Sequence, residues 1–376
     1  MRYVRFLKTP RIVLADKTTS RPHDVLCLVT ITSDLGDSFL AAHAQLSAEL
    51  LACDSSDNEK LIVWSSVQWT PGMRSLPIRL PLPKSGVSTS LRLKVSTTPK
   101  STCDEFQSLV SHHSNSIVSA WSAPFTVSVE APRLAERRFQ LASTSLNVWE
   151  ETGNSIARHL WDAGILLSCH MDQLLSVESE LGQVLFPNRT RSGLRVLELG
   201  TGCGIAGISL AQCLEDTVII VTDLTEAREI VTRNLSHVKT AARSSIEFQE
   251  LDWDEALPAS LNPTAMNFDL VFAADCTYNA DSRYALNLSC YASHQRHLIR
   301  DSPAFVNTIS RIVHESPSTV VLVAMKMRHP SEVVFFELMA EAGFNRVSTI
   351  SYPLPGDTEA TEETVDLHVY KYVAPK

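Results

Sequence analysis

RVLELGTGCGIAG, residues 195–207, is an apolar strand followed by a turn carrying Gly200, Gly202 and Gly204, with Gly207 opening a helix. Glycines let a backbone approach a ligand closely. A turn at the carboxyl end of a parallel strand, feeding a helix N-terminus, is where open α/β sheets bind nucleotides, and its N–H groups are expected to face the ligand. The next strand, VIIVTD, ends in Asp223, whose carboxylate can accept both hydroxyls of a ribose. Gly202, Gly204 and Gly207 also satisfy GxGxxG, so an NAD-dependent dehydrogenase has to be weighed. A turn that merely reverses the chain is the bland alternative, and the acid at Asp223 speaks against it.

Strand and helix alternate on both sides of this turn. Ile156, Leu160, Ala163 and Leu167 share one face of a helix before it, and IEFQEL, FDLVFAAD, TVVLVAM, NRVSTISY and VDLHVYKYV read as strands after it. Helices are expected near Glu226–Val238 and Glu332–Ala342. The fold class is α/β, a mostly parallel Rossmann-like sheet whose last two strands form an antiparallel pair, because PLPGDTEATEET is too polar and short for a crossover helix. Three details favour S-adenosylmethionine over a dinucleotide. Glu198 at the strand end suits a cationic aminoacyl ligand and would repel a pyrophosphate. GxGxG at Gly200, Gly202 and Gly204 sits at the strand–turn junction, two residues ahead of the GxGxxG register. The final strand pair belongs to a seven-stranded methyltransferase sheet, with no second substrate half after it.

The first 135 residues read differently. RIVLA, VLCLVTI, LIVWSSVQW, SLPIRLPL, SLRLKVS and FTVSVEA are short apolar runs between turn-forming segments, which predicts a small β-sandwich or a looser α+β arrangement. One helix is expected around Ser38–Cys53. Ala131, Pro132 and Arg133 mark a boundary, giving a β-rich unit over 1–135 and an α/β unit over 136–376. A length of 376 residues accommodates two to three domains.

Charge narrows the partners. With 33 Lys and Arg against 42 Asp and Glu, the net charge of -9 supplies no positive field for phosphate backbone, so nucleic acid is not the expected partner. The eight cysteines stand singly and MRYVRFLKTPR lacks an apolar leader, which predicts a reducing, cytoplasmic or nuclear setting without a membrane span. His112 with His113, and His294 with His297, lack companion ligands, so no metal is expected. Cys203 reads as a small buried filler in the turn.

VWEETG, VLELGTGCGIAGI, TDL, LDWDE and ADCTY, in this order, resemble the class I protein-lysine methyltransferases of methyltransferase family sixteen. The resemblance covers about residues 140 to 376. It implies a seven-stranded S-adenosylmethionine-dependent fold and a non-histone protein substrate such as a translation elongation factor or a chaperone. By motif it implies cofactor contacts at Trp149, Gly200, Thr201, Gly202, Asp223, Trp253 and Ala274. Residue chemistry adds Glu198 and Gly204 at the turn. It also adds Asp252, which can accept from the adenine amino group, beside Trp253, whose indole can lie on the purine.

ADCTYN places Asp275 and Tyr278 at the tip of the fourth strand, beside the expected methyl group. Asp275 is the candidate for orienting an incoming lysine, and Tyr278 for an aromatic wall or hydrogen-bond partner. Cys276 and Thr277 stand where amide and amino-nitrogen methyltransferases have prolines, which favours a charged amine. Lys326 and Arg328 border the peptide entrance or form an ordinary solvated end. Residues 283–300 lie outside the family pattern between two Asp-Ser pairs, and read as an extra loop or translated intron sequence. Two rival functions stay open: an enzyme with a small-molecule or amide acceptor, and a non-catalytic binding module.

Overall fold

The short apolar runs of the N-terminal third become strands. A computed structural model describes residues 1–14, 23–54, 58–83, 90–109, 116–141, 144–152, 157–186, 193–262, 266–277, 301–354 and 363–373. They fall into two units, Met1–Leu160 with Leu354–Glu363, and Trp161–Pro353 with Thr364–Lys376.

The first unit contains β1 (Arg2–Leu14), β2 (His23–Thr32), β3 (Ala44–Cys53), β4 (Glu59–Trp69), β5 (Leu76–Leu82), β6 (Ser90–Ser96), β7 (Asp104–Glu105), the helical turn α1 (Phe106–Leu109), β8 (Ile117–Val118), β9 (Ala120–Ser122), β10 (Leu134–Gln140) and β11 (Ser145–Glu151). One sheet has the order β5-β2-β1-β8, the other β11-β10-β9-β6-β3-β4 with β7 beside β10. Val4, Phe6, Ile31 and Ile78 of the first sheet share one apolar core with Leu46, Leu50, Leu93 and Ala135 of the second. Alternate residues of β2, β3, β5 and β6 meet there, which makes the unit a β-sandwich.

Three expectations are corrected. Ala44–Cys53, AQLSAELLAC, is a strand and not a helix, because it pairs with β4 on one side and β6 on the other. Ladder bonds and burial on both edges override the helix preference of Ala, Leu and Glu. FTVSVEA forms no strand beyond a single bridge from Phe125 to Leu91, since the chain must turn there to bring β10 back against β9. Residues 136–151, expected in the second unit, belong to the β10–β11 hairpin of the sandwich unit.

The sandwich buries charge in pairs. Arg137 is fully buried and donates to Glu150 Oε1 through Nε at 2.7 Å and Nη2 at 2.5 Å, while also reaching the Val4 and Ser119 carbonyls at 2.7 and 2.6 Å. Arg92 and Arg138 each bridge Glu59 and Glu136.

The second unit runs α2 (Asp162–Leu174), α3 (Glu180–Leu185), β12 (Arg195–Leu199), α4 (Ile205–Cys213), β13 (Val218–Asp223), α5 (Arg228–Leu235), β14 (Ser245–Glu250), β15 (Leu270–Ala274), α6 (Asp301–Val313), β16 (Val320–Met325), α7 (Val334–Glu341), β17 (Phe344–Leu354) and β18 (Glu363–Tyr372). Its sheet has the order β14-β13-β12-β15-β16-β18-β17, with β12 to β16 parallel and β18 antiparallel to β16. Every residue of β16 is buried, as expected of a strand covered on both faces. The strand order reverses between β12 and β15, so a crevice for ligands opens at the carboxyl ends of these two strands. Both expected later helices form, each introduced by a short 3-10 turn. Ile156 lies outside the described residues.

Candidate active site

The turn after β12 is built by three residues in the left-handed region: Gly200, Gly202 and Gly204 have φ of 65°, 55° and 85°. A Cβ on Gly200 would lie 2.5 Å from Cys276 Sγ and 3.3 Å from the Trp253 ring, so glycine is required by space as well as by φ. Gly204 caps α4, and Asn234 on α5 donates to the Cys203 carbonyl at 2.7 Å. The Cys203 side chain is buried.

The N–H groups of this turn do not form the open cradle expected from the sequence. Thr201 N–H donates to the Thr222 carbonyl at 2.9 Å, Gly204 N–H to the Thr201 carbonyl at 2.8 Å, and Gly202 N–H to Asp223 Oδ2 at 2.7 Å. A pyrophosphate needs such donors, and three of them are spent. The turn is therefore ill suited to a dinucleotide.

Glu198 is buried beneath the turn. Its Oε2 accepts from Thr201 Oγ1 at 2.7 Å and from Gly207 N–H at 3.1 Å. Burial pushes its carboxyl up to about 8, with the charge of Asp223 adding to the effect. The residue braces the strand–helix junction, and a cofactor contact at Glu198 rests on the sequence reading alone. A Cβ on Gly207 would sit 2.5 Å from this carboxylate oxygen, which explains that glycine.

Asp223 stands at the tip of β13, half-buried, and Oδ1 accepts from Leu224 N–H at 2.8 Å. Burial pushes it up to about 6 despite its two backbone donors. Trp253 follows β14 and packs edge-on against Phe305 at 5.2 Å. Its carbonyl accepts from Thr308 Oγ1 and Arg311 Nη2 at 3.3 and 3.0 Å, which fixes the ring beside Gly200. Asp252 accepts from Asp254 N–H at 2.9 Å, closing its own turn. Ala274 ends β15, and its carbonyl accepts from the Cys276 thiol at 3.3 Å. The structure thus brings Gly200, Thr201, Gly202, Gly204, Asp223, Trp253 and Ala274 to one end of the sheet, beyond the carboxyl ends of β12, β13, β14 and β15. Trp149 belongs to the first unit, where the Arg92 guanidinium stands 5.1 Å over its ring. Its cofactor contact rests on the resemblance alone.

Asp275 departs most from expectation. Its side chain is 1% exposed and forms a two-pronged ion pair with Arg328, Nη1 to Oδ1 at 2.8 Å and Nη2 to Oδ2 at 3.1 Å. Ala163 N–H and Lys326 N–H donate to the same carboxylate at 2.9 and 3.2 Å. A carboxylate with four donors in place has no lone pair directed at an incoming ammonium, so the orienting role is corrected to a positioning one. Lys326 and Arg328 do not form a solvated end: both side chains are buried, and Lys326 Nζ pairs with the buried Asp162 at 2.9 Å. Sequence reasoning missed Asp162 and misread its two cationic neighbours. The partners lie more than 50 positions apart, and only a charged residue ending a wholly apolar strand hinted at them. Tyr278, residues 283–300 and all four paired histidines lie outside the described residues. Among the described residues no group of three or more metal-ligating side chains occurs.

Residues 140–292 match a family model described as lysine methyltransferase. Over 258 residues the chain is 29% identical to the UPF0665 family protein C23C4.06c of Schizosaccharomyces pombe, covering 67% of this chain and 74% of that one. It is 28% identical over 203 residues to the protein-lysine N-methyltransferase EFM6 of Saccharomyces cerevisiae, covering 51% and 73%. It is 26% identical over 244 residues to the protein N-lysine methyltransferase METTL21A of Danio rerio, covering 65% and 86%.

Proposed function

We propose, from the match of residues 140–292 to the lysine methyltransferase family model, that this chain methylates lysine side chains of a non-histone protein such as a translation elongation factor or a chaperone. The relatives named for protein-lysine methylation support a protein acceptor. The observation that carries the cofactor assignment is the glycine turn, whose donors are spent internally and whose neighbours are a ribose-competent acid and an indole. S-adenosylmethionine, the family's cofactor, fits this site: it needs close backbone approach and a hydroxyl acceptor, and it brings no phosphate.

When bound, the cofactor supplies an electrophilic methyl group on sulfur. Asp223 would accept the ribose hydroxyls, Trp253 would lie against the purine, and the Gly200 turn would approach the aminoacyl part. The acceptor amine would have to be held unprotonated and in line with that methyl group. With Asp275 enclosed by its donors, the acceptor class rests on the family match. The sandwich is a candidate grip for the protein substrate: β4 exposes Trp64 (55%), and among the described residues it pairs along one edge only, with β3. A reducing setting belongs to the same reading.

Two outcomes check the reading. Methyl-lysine mass spectrometry of proteomes with and without the gene should lose a site on one or a few proteins. Loss of labelled small molecules, with the protein-bound label unchanged, would favour the small-molecule acceptor. Cofactor affinity should also depend on pH. Asp223 accepts hydroxyls best as a carboxylate, so affinity should hold above about pH 6 and fall as pH drops below it, approaching tenfold per unit. Calorimetry from pH 5 to 7.5 reads this slope, and Asp223→Asn should flatten it.

A further inference from the structure

Two buried ion pairs tie the ends of β15 and β16 to the start of α2. Asp275 takes up the left-handed conformation, φ 54°, which a non-glycine residue keeps only when its surroundings impose it. Here they do, through the Arg328 fork and the Ala163 and Lys326 N–H groups. Arg328 is itself held: its guanidinium lies 5.2 Å over the Trp161 ring, and its N–H donates to Glu332. The second pair, Lys326 with Asp162, anchors the same helix start.

The turn at Asp275 sends Cys276 back under the glycine turn. Its sulfur lies 3.3 Å from the Leu199 carbonyl, which shares the single S–H with the Ala274 carbonyl, and occupies the space a Gly200 side chain would need. One side chain thus joins the acceptor side of the crevice to the cofactor side.

We propose that Arg328 is a positioning residue of the acceptor site, whose two-pronged grip on Asp275 holds the end of β15 in its left-handed turn and so keeps Cys276 seated against the glycine turn. The inference rests on the methyltransferase reading for what the site does, and on the ion pairs alone for how it is held. Lysine at 328 would keep the charge but lose the fork, whereas alanine would leave the Asp275 carboxylate buried without its cation.

Labelling of each thiol in the full-length chain by N-ethylmaleimide, mapped by peptide mass spectrometry, tests this. Burial and the surrounding carboxylates keep the Cys276 thiol protonated, so wild-type labelling should be slow. Cys203, 1% exposed in the same turn, reports general opening. Arg328→Ala should speed Cys276 labelling by about tenfold while Cys203 changes by less than about twofold, with Arg328→Lys in between. Cofactor affinity should weaken by about threefold to tenfold in Arg328→Ala, and turnover, where an acceptor is in hand, should fall further than the cofactor KM rises. If Arg328→Ala does not fold, Arg328→Lys reads the same contrast between the two thiols. Equal acceleration at both thiols, or none at Cys276, would overturn the assignment. The thiol readout needs no acceptor, so a folded chain that transfers no methyl group refutes the function reading while leaving this one standing.

Discussion

Gly200→Val should weaken S-adenosylmethionine binding by about 100-fold or more, equivalent to about 2.7 kcal/mol. At φ 65° a β-branched residue is strained by about 1–3 kcal/mol, before any contact is counted. Its Cβ would then lie 2.5 Å from Cys276 Sγ and 3.3 Å from the Trp253 ring. Sulfur and ring are each held by neighbours, so the turn itself must shift, and it shifts within the crevice. β12 is buried beyond its first residue and paired on both sides, which should keep the fold intact. Calorimetry on a variant with a wild-type circular dichroism spectrum checks this. Wild-type affinity in a folded Gly200→Val chain would show that the turn does not approach the cofactor.

Arg137→Met should cost the sandwich about 3–5 kcal/mol, because it leaves Glu150 as an uncompensated charge in the interior. Glu150 is 1% exposed, and Arg137 also satisfies two carbonyls that would lose a donor. The double variant Arg137→Met with Glu150→Gln should recover a large part of the loss, since the stranded charge is what makes the single change costly. Burial alone would raise the Glu150 carboxyl, but the Arg137 guanidinium, helped by His159 and Arg5, outweighs it and holds the group well below its ordinary 4.5. A depressed acid stabilises fully above its unfolded value and loses that contribution as pH falls toward its folded value. Wild-type resistance to urea should therefore decline below about pH 4.5, and decline less in the double variant. Urea unfolding of the full chain, followed by tryptophan fluorescence, to which Trp69 and Trp121 of the sandwich contribute, reads both. A single variant as stable as the wild type would contradict the account of the pair.

What the sequence disclosed divides by distance along the chain. The glycine turn and Asp223 were legible because their chemistry is local: a strand, a left-handed turn, a helix and an acid within 30 residues. The sandwich was legible from short alternating runs. Ala44–Cys53 was not, because its composition favours a helix and only its two strand partners make it a strand. Asp275 was misread for a related reason. A carboxylate at a strand tip looks available until its partners are known, and they come from Ala163, Lys326 and Arg328 on other elements. Glu198 shows the same limit at shorter range, since the spacing to Thr201 and Gly207 gives no sign that both donate to it.

The most direct measurement is a pair of calorimetric titrations of the full-length chain at pH 7.5, one with S-adenosylmethionine and one with NAD. One equivalent of S-adenosylmethionine should bind and the dinucleotide should give no heat of binding, because the turn's donors are already taken up by Thr222, Thr201 and Asp223. Binding of NAD, or a folded chain that ignores S-adenosylmethionine, would contradict the account at its centre.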